Sequence, residues 1–477
     1  FPTRRSSDLL LLALYLGFSS LYAQSTAVFT EADLAYKRGM GFYKEGLFGK
    51  AQEEFTQTMR LLQPANEPNA ALLRTKAELH FAKSAVQLKL PDGEKLILDF
   101  IRKYKPDPMA MQALTEMAKY YYDAKEYEKA ISFYDQVDWS GLSKAEREEA
   151  RFRLGYSYFV TKQFAKAKTQ FREIRDVRND YYEPTNYYLG LCYFFEGNYR
   201  EAISSLKIAE KNNRFKDQIP YYIAQIYFAE RQYDELIAYA KPYASNTSGS
   251  RSKEIQQLLG QAYFEKGDYQ SALPYLEFYA ERTGKLREEE FYQLGYAQYN
   301  TGNYRKAARS FEELSTVNSK LGQYAMYYLG DSYLRLDQKS SARTAFASAK
   351  RMNYDPAVQE DALFNYAKLS YELKDPREAI TALQTIRPES RYYVDAQSLM
   401  SEIFLGYRDY KQAMEVIEKM SNKTPAIRET YQKVAYLRGL QALQLGNNAE
   451  AKKYLEVSLA DAPNAEYRAL ASYWLGD

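Results

Sequence analysis

Cysteine and histidine are nearly missing from this 477-residue chain, which has one of each, Cys192 and His80. A lone cysteine forms no intramolecular disulfide, even where export would permit one. With a single histidine far from that cysteine, a His-based triad, a Cys/His dyad near it in sequence and a conventional zinc set are all excluded. Neither charge predominates, since 65 Lys+Arg stand against 62 Asp+Glu for a net +3. No strong field therefore selects nucleic acid or anionic lipid, and the interspersed charges read as solvated helix faces. Glycine (22) and proline (15) are sparse, so little breaks helical periodicity. No P-loop, dinucleotide fingerprint or Ca²⁺ loop occurs. These absences predict no catalytic residues, no metal and no cofactor.

The chain is instead rich in rings and helix formers, with 48 Tyr and 24 Phe set among Ala, Leu, Glu, Lys and Gln. That stock builds helices with many bulky side chains to bury between them. Self-similarity organises it. Gly197-Asn198-Tyr199, Gly267-Asp268-Tyr269 and Gly302-Asn303-Tyr304 each follow a small residue and an aromatic, and each precedes an alanine. The small residue recurs at Gly39, Ala82, Ala118, Gly155, Gly190, Ala224, Gly260, Gly295, Gly330, Ala367, Ser401, Gly439 and Gly476. After the first step the spacing is 34 to 38 residues. Alanine follows twelve later, as at Ala167, Ala202, Ala272 and Ala307, except at Glu94 and Leu236. Four further on stands a large apolar residue such as Phe171, Leu206 or Phe311. Small residues let two helices approach closely, and the large one lies on the same helical face. The Gly-Asn/Asp turn tolerates positive φ.

The residues carrying this pattern resemble the tetratricopeptide-repeat (TPR) family. The resemblance implies an all-α fold, a right-handed α-solenoid of helix-turn-helix repeats, over residues 24–477. The pattern divides that span into about twelve repeats, the second degenerate around Lys89-Leu-Pro-Asp-Gly93 and a thirteenth cut at Asp477. Looser joints are expected at Pro64–Pro68 and at Ala240–Ser252. Before the array, residues 10–23 read as a secretory signal peptide, too short to span a bilayer. Residues 1–9 read as the translation of a sequencing adapter.

In this family the first helix of each pair lines a concave groove. Carried over by position, residues three before the small one are Phe152, Tyr187, Tyr221, Tyr292, Tyr327, Phe364 and Tyr436, and those one after are Tyr156 and Tyr296. The four-after set, including Tyr122, Phe159, Phe264 and Tyr299, is expected to pack between first helices. An aromatic wall suits an extended peptide or a partner helix. Glu288-Glu289-Glu290 reads as a helix start favoured by the macrodipole, Cys192 as an inert buried thiol and His80 as a partly exposed helical residue. The expected function is a non-catalytic protein–protein interaction scaffold of the cell envelope. Its partners are expected to be envelope proteins, and its place the periplasm or the outer membrane. The resemblance is to long secreted TPR proteins of Bacteroidota-type bacteria. The competing readings are glycan or peptidoglycan binding, and the recognition arm of a larger protein.

Overall fold

The computed structural model describes residues 27–63, 67–245, 251–406, 408–420, 422–460 and 462–477. The expected leader and adapter segments, and Asn246 to Ser250 of the second joint, lie outside the described residues. Among those residues the structure is helical, with one 3₁₀ turn at Trp139–Gly141 and no strand. The chain divides into two compact units, one through Ile219 and one from Pro220.

In the first unit, helix Lys144–Val160 packs on its partner Phe164–Ile174 and on the next first helix, Tyr182–Phe195. In the second unit, Glu288–Asn300 meets Tyr304–Glu312 and then Lys320–Arg335 in the same way. Sequence neighbours touch along both units, and several successive first helices touch one another, as Pro108–Asp123 does Lys144–Val160 and Lys320–Arg335 does Pro356–Glu372. Each unit is therefore an all-α stack of helix pairs, built as a solenoid.

What the small position faces is sharper than the sequence pattern. A Cβ on Gly155 would stand 2.7 Å from the Phe171 ring, and one on Gly295 2.9 Å from Phe311. The same holds for Gly39 with Phe55, Gly190 with Leu206, Gly330 with Phe346 and Gly439 with Leu455. The small residue thus makes room for the large one sixteen later, rather than for the alanine twelve later. Phe311 and Phe171 are completely buried, each burial worth about 1.5–3 kcal/mol.

The degenerate repeat keeps the close approach by another residue. Glu94 replaces the alanine, and the neighbouring Gly93 lies where a Cβ would stand 2.9 Å from the Ala85 carbonyl. Helices Pro68–Gln87 and Gly93–Tyr104 meet there.

The turn inside each pair needs a left-handed residue. Among the described residues five glycines, including Gly197, Gly267 and Gly302, hold φ near +77°. Seven other turns place Lys89, Lys125, Lys162, Arg231, Asp337, Lys374 or Arg408 in the same region. Helix starts follow local rules. Ser143 and Glu146 form a capping box, and Asp355 and Asp375 cap helices whose first residue is proline. At the second expected joint, helix Tyr233–Ala244 continues through Pro242. The proline removes one hydrogen bond only two residues before the helix ends. At the first, Pro68 opens helix Pro68–Gln87.

Candidate functional site: two tyrosine boxes

Helix Lys144–Val160 carries Phe152, Tyr156 and Phe159 at i, i+4 and i+7, so they share a face. Tyr156 sits at the centre of a cluster. Tyr122, Tyr127 and Tyr188 meet it edge to face, at 5.7, 5.7 and 4.9 Å between centroids. Phe152 lies near-parallel at 6.4 Å.

The second unit builds the same object around Tyr296. Phe264, Tyr269 and Tyr328 meet it edge to face at 5.9, 5.2 and 4.8 Å, and Tyr292 lies near-parallel at 5.7 Å. Edge-to-face contacts place positive ring edges on negative ring faces, worth about 0.5–1.5 kcal/mol each beyond burial.

Burial, and then neighbouring hydroxyls, hold the phenols of Tyr122, Tyr188, Tyr292 and Tyr328 well above the usual range. Tyr327 is pushed up to about 12 by burial first and Asp361 second. These rings are neutral at physiological pH. They offer flat apolar faces and hydroxyls, which suits contact rather than proton transfer.

The sequence-derived groove residues divide. Phe152 is 8% exposed and stacks on Tyr181 at 4.7 Å. Tyr187 is 5% exposed, lies parallel to Phe215 at 4.1 Å and donates its hydroxyl to Gln218. Both are sealed under rings from the connection that follows. Tyr436 is likewise buried, against Tyr467. Tyr156, Tyr221, Tyr292, Tyr296, Tyr327 and Phe364 are half-buried. Phe364 stacks on Tyr392 at 4.6 Å, and Tyr221 carries the Arg251 guanidinium over its face at 5.1 Å. The structure gathers Phe152 and Tyr156 into one box and Tyr292 and Tyr296 into the other. Tyr187, Tyr221, Tyr327 and Phe364 stand outside the ring contacts of either hub.

The remaining candidates have structural surroundings. Cys192 is fully buried, and burial first pushes its thiol up to about 12. His80 is half-buried among Tyr36, Tyr43 and Phe55, and its Nδ1 hydrogen-bonds with the Lys76 carbonyl at 2.9 Å. Glu290, third in its helix, is 6% exposed and accepts from Arg287, Gln257 and Tyr279. It is a capped, paired carboxylate. Among the described residues no helix is long and apolar enough to cross a membrane.

Sequence reasoning missed the buried amides. Gln323 and Gln432, both fully buried, bond the backbone of Asp355 and Asn464. Their only sequence signal is a polar residue on an otherwise apolar face.

Residues 149–177 match the family model described as tetratricopeptide repeat, and residues 258–420 match that of the tetratricopeptide repeat protein 21 ARM repeat. No curated protein matches the chain. Among solved structures, a tetratricopeptide repeat protein from Parabacteroides merdae ATCC 43184 is similar at 13% identity and TM-score 0.32, covering 55% of this chain and all of that one. A structure of MamA MSR-1 is similar at 18% identity and TM-score 0.30, covering 38% of this chain and 99% of that one. The family-model matches support the tetratricopeptide-repeat family for residues 149–177 and 258–420, and repeats of that family are protein–protein interaction scaffolds.

Proposed function

We propose that this chain is a non-catalytic scaffold of the cell envelope that receives partner peptides or helices on its first-helix aromatic surface. The reading rests on one observation, the recurrence of the same half-buried tyrosine box around Tyr156 and Tyr296. Packing alone is served by any large apolar residue, as Leu206 and Leu276 show beside Phe171 and Phe311. Tyrosine at both hubs and at most of their neighbours adds hydroxyls to half-buried rings, the chemistry that favours protein recognition at low entropic cost. The envelope location follows from the apolar leader read in the sequence.

The test is a photo-crosslinking amino acid placed at position 156 or 296 in the exported protein. Adducts to defined envelope proteins are expected from both positions. Adducts to glycan alone would transfer the function to saccharide binding, and a cytoplasmic location would remove the envelope role.

A further inference from the structure

The residue sixteen after each small position is hydrocarbon throughout the array, as at Phe171, Leu206, Phe311 and Ile417, with one exception. After Ala118 it is Tyr134. Packing asks for no oxygen at this place. Tyr134 is 2% exposed, and its hydroxyl has no hydrogen-bond partner among the described residues. A buried hydroxyl left without a partner is destabilising, so its presence calls for a group to meet it.

Tyr134 lines a cavity of about 290 Å³ between two successive first helices. Thr115, Glu116 and Lys119 come from one face of Pro108–Asp123, and Glu146, Glu149 and Ala150 from the opening turns of Lys144–Val160. Tyr134 ends the short helix Tyr127–Tyr134 between them. Burial holds its phenol well above the usual range, with Arg153 opposing and Glu149 and Tyr122 adding. The hydroxyl is therefore intact at neutral pH, and its oxygen is open to accept a hydrogen bond.

Charge then selects the occupant. Glu149 pairs with Lys119 at 3.2 Å and with Arg153 at 2.8 Å, Arg153 also reaches Asp123 at 3.2 Å, and Glu116 pairs with Lys83. Four carboxylates thus meet three cations, and Glu146 has no basic partner among the described residues. Its Oε2 accepts from the Ser143 N–H at 2.9 Å, which fixes the carboxylate at the cavity. An acceptor oxygen inside and a surplus carboxylate at the mouth favour a cation and disfavour an anion. The volume lies at the small end of ligand sites, which run from about 300 Å³ upward, and suits one side chain.

We infer that this cavity binds the ammonium or guanidinium end of a basic alkyl chain. The charged head donates to the Tyr134 oxygen and faces Glu146, while the stem lies along Ala150 and the Thr115 methyl, as long basic side chains do on apolar surface. None of the residues lining the cavity builds either tyrosine box, so failure here leaves the scaffold reading untouched.

Calorimetry and ligand-observed NMR on the full chain test this with Nα-acetyl-L-lysine methylamide, Nα-acetyl-L-arginine methylamide, cadaverine and the uncharged Nα-acetyl-L-norleucine methylamide. A cationic probe is expected to bind one site per chain at least about tenfold more tightly than the norleucine compound. Tighter binding of a capped residue than of cadaverine supports a basic side chain of a protein partner, and the reverse supports a free polyamine. Tyr134→Phe installs the ring that Phe171 and Phe311 supply elsewhere, and Glu146→Gln keeps the helix cap while removing the charge. Neither should lower the melting temperature, each should weaken the cation about threefold or more, and together they should abolish the preference over norleucine. Undetectable binding of every cationic probe, equal binding of the norleucine compound, or unchanged binding by the double variant overturns the proposal.

Discussion

Gln323 and Asp355 exchange two hydrogen bonds across 32 residues of chain. Gln323 Nε2 donates to the Asp355 carbonyl at 3.2 Å, and its Oε1 accepts from the Asp355 N–H at 2.7 Å. The same nitrogen donates to the Met352 carbonyl at 2.9 Å. One buried side chain thereby fixes the entry into helix Pro356–Glu372. Gln432 repeats the exchange with Asn464 at 2.9 and 2.8 Å.

Gln323→Leu keeps the volume and strands those backbone groups. The expected cost is about 2–4 kcal/mol, from two unsatisfied buried groups. A solenoid transmits such damage only to neighbours. Hydrogen exchange should therefore accelerate around residues 349–372 and stay unchanged in the first unit. Uniform acceleration across the chain would contradict a nearest-neighbour stack.

Three glycines should respond to alanine for three different reasons. At Gly302 a Cβ meets nothing within 4 Å, but φ is +79°, so the cost is conformational, about 1 kcal/mol. At Gly295 the backbone is ordinary, but the Cβ would press on Phe311, an overpacking cost of about 1–3 kcal/mol. At Gly322 it would stand 1.9 Å from the Val317 carbonyl oxygen, and the backbone itself must move. Calorimetric melts should rank the damage Gly302 < Gly295 < Gly322, and a reversed order would refute the close-contact account.

The repeat was legible because its signals recur at fixed spacing: Gly295 and Gly330, Ala307 and Ala342, Gly302 with Asn303. The partner of the small residue was not. Alignment sets Gly155 beside Ala167, whereas packing sets it against Phe171. The burial of Phe152 and Tyr187 was hidden for a related reason. Tyr181 and Phe215, which cover them, come from connections that follow no period. The amide clamps keep two fixed offsets, Gln323 and Gln432 seven before the small residue and Asn186 and Gln256 four, but each occurs in only some repeats, so the pattern shared by all of them does not carry the clamps.

His80 makes the N-terminal repeats sensitive to acid. Burial first holds its imidazole below the ordinary value of 6.5, with Lys83 and Lys76 adding to the effect and the Lys76 carbonyl and Glu116 opposing it. Tyr36, Tyr43 and Phe55 enclose the ring. The folded form therefore disfavours the proton that the unfolded chain takes up. Stability is fully present above about pH 6.5, and is lost as pH falls from there through the folded value. Exchange protection over residues 27–104 should drop between pH 7.5 and 5.5, and His80→Phe should flatten that change.

Cys192 should resist modification in the native chain, since its thiol is buried and raised to about 12. Iodoacetamide at pH 8 should label it only after denaturant is added. Rapid native labelling would mean that the pair Tyr182–Phe195 and Tyr199–Ala209 opens readily.

The way pairs close a small residue onto a large apolar one has a mechanical consequence. Within a unit, a load drawn along the stack passes through every such contact in series. Pairs therefore yield one after another, each releasing a short length of chain while its neighbours hold. A partner that pulls on one part of a unit lengthens it stepwise, as a row of independent clasps rather than a single latch.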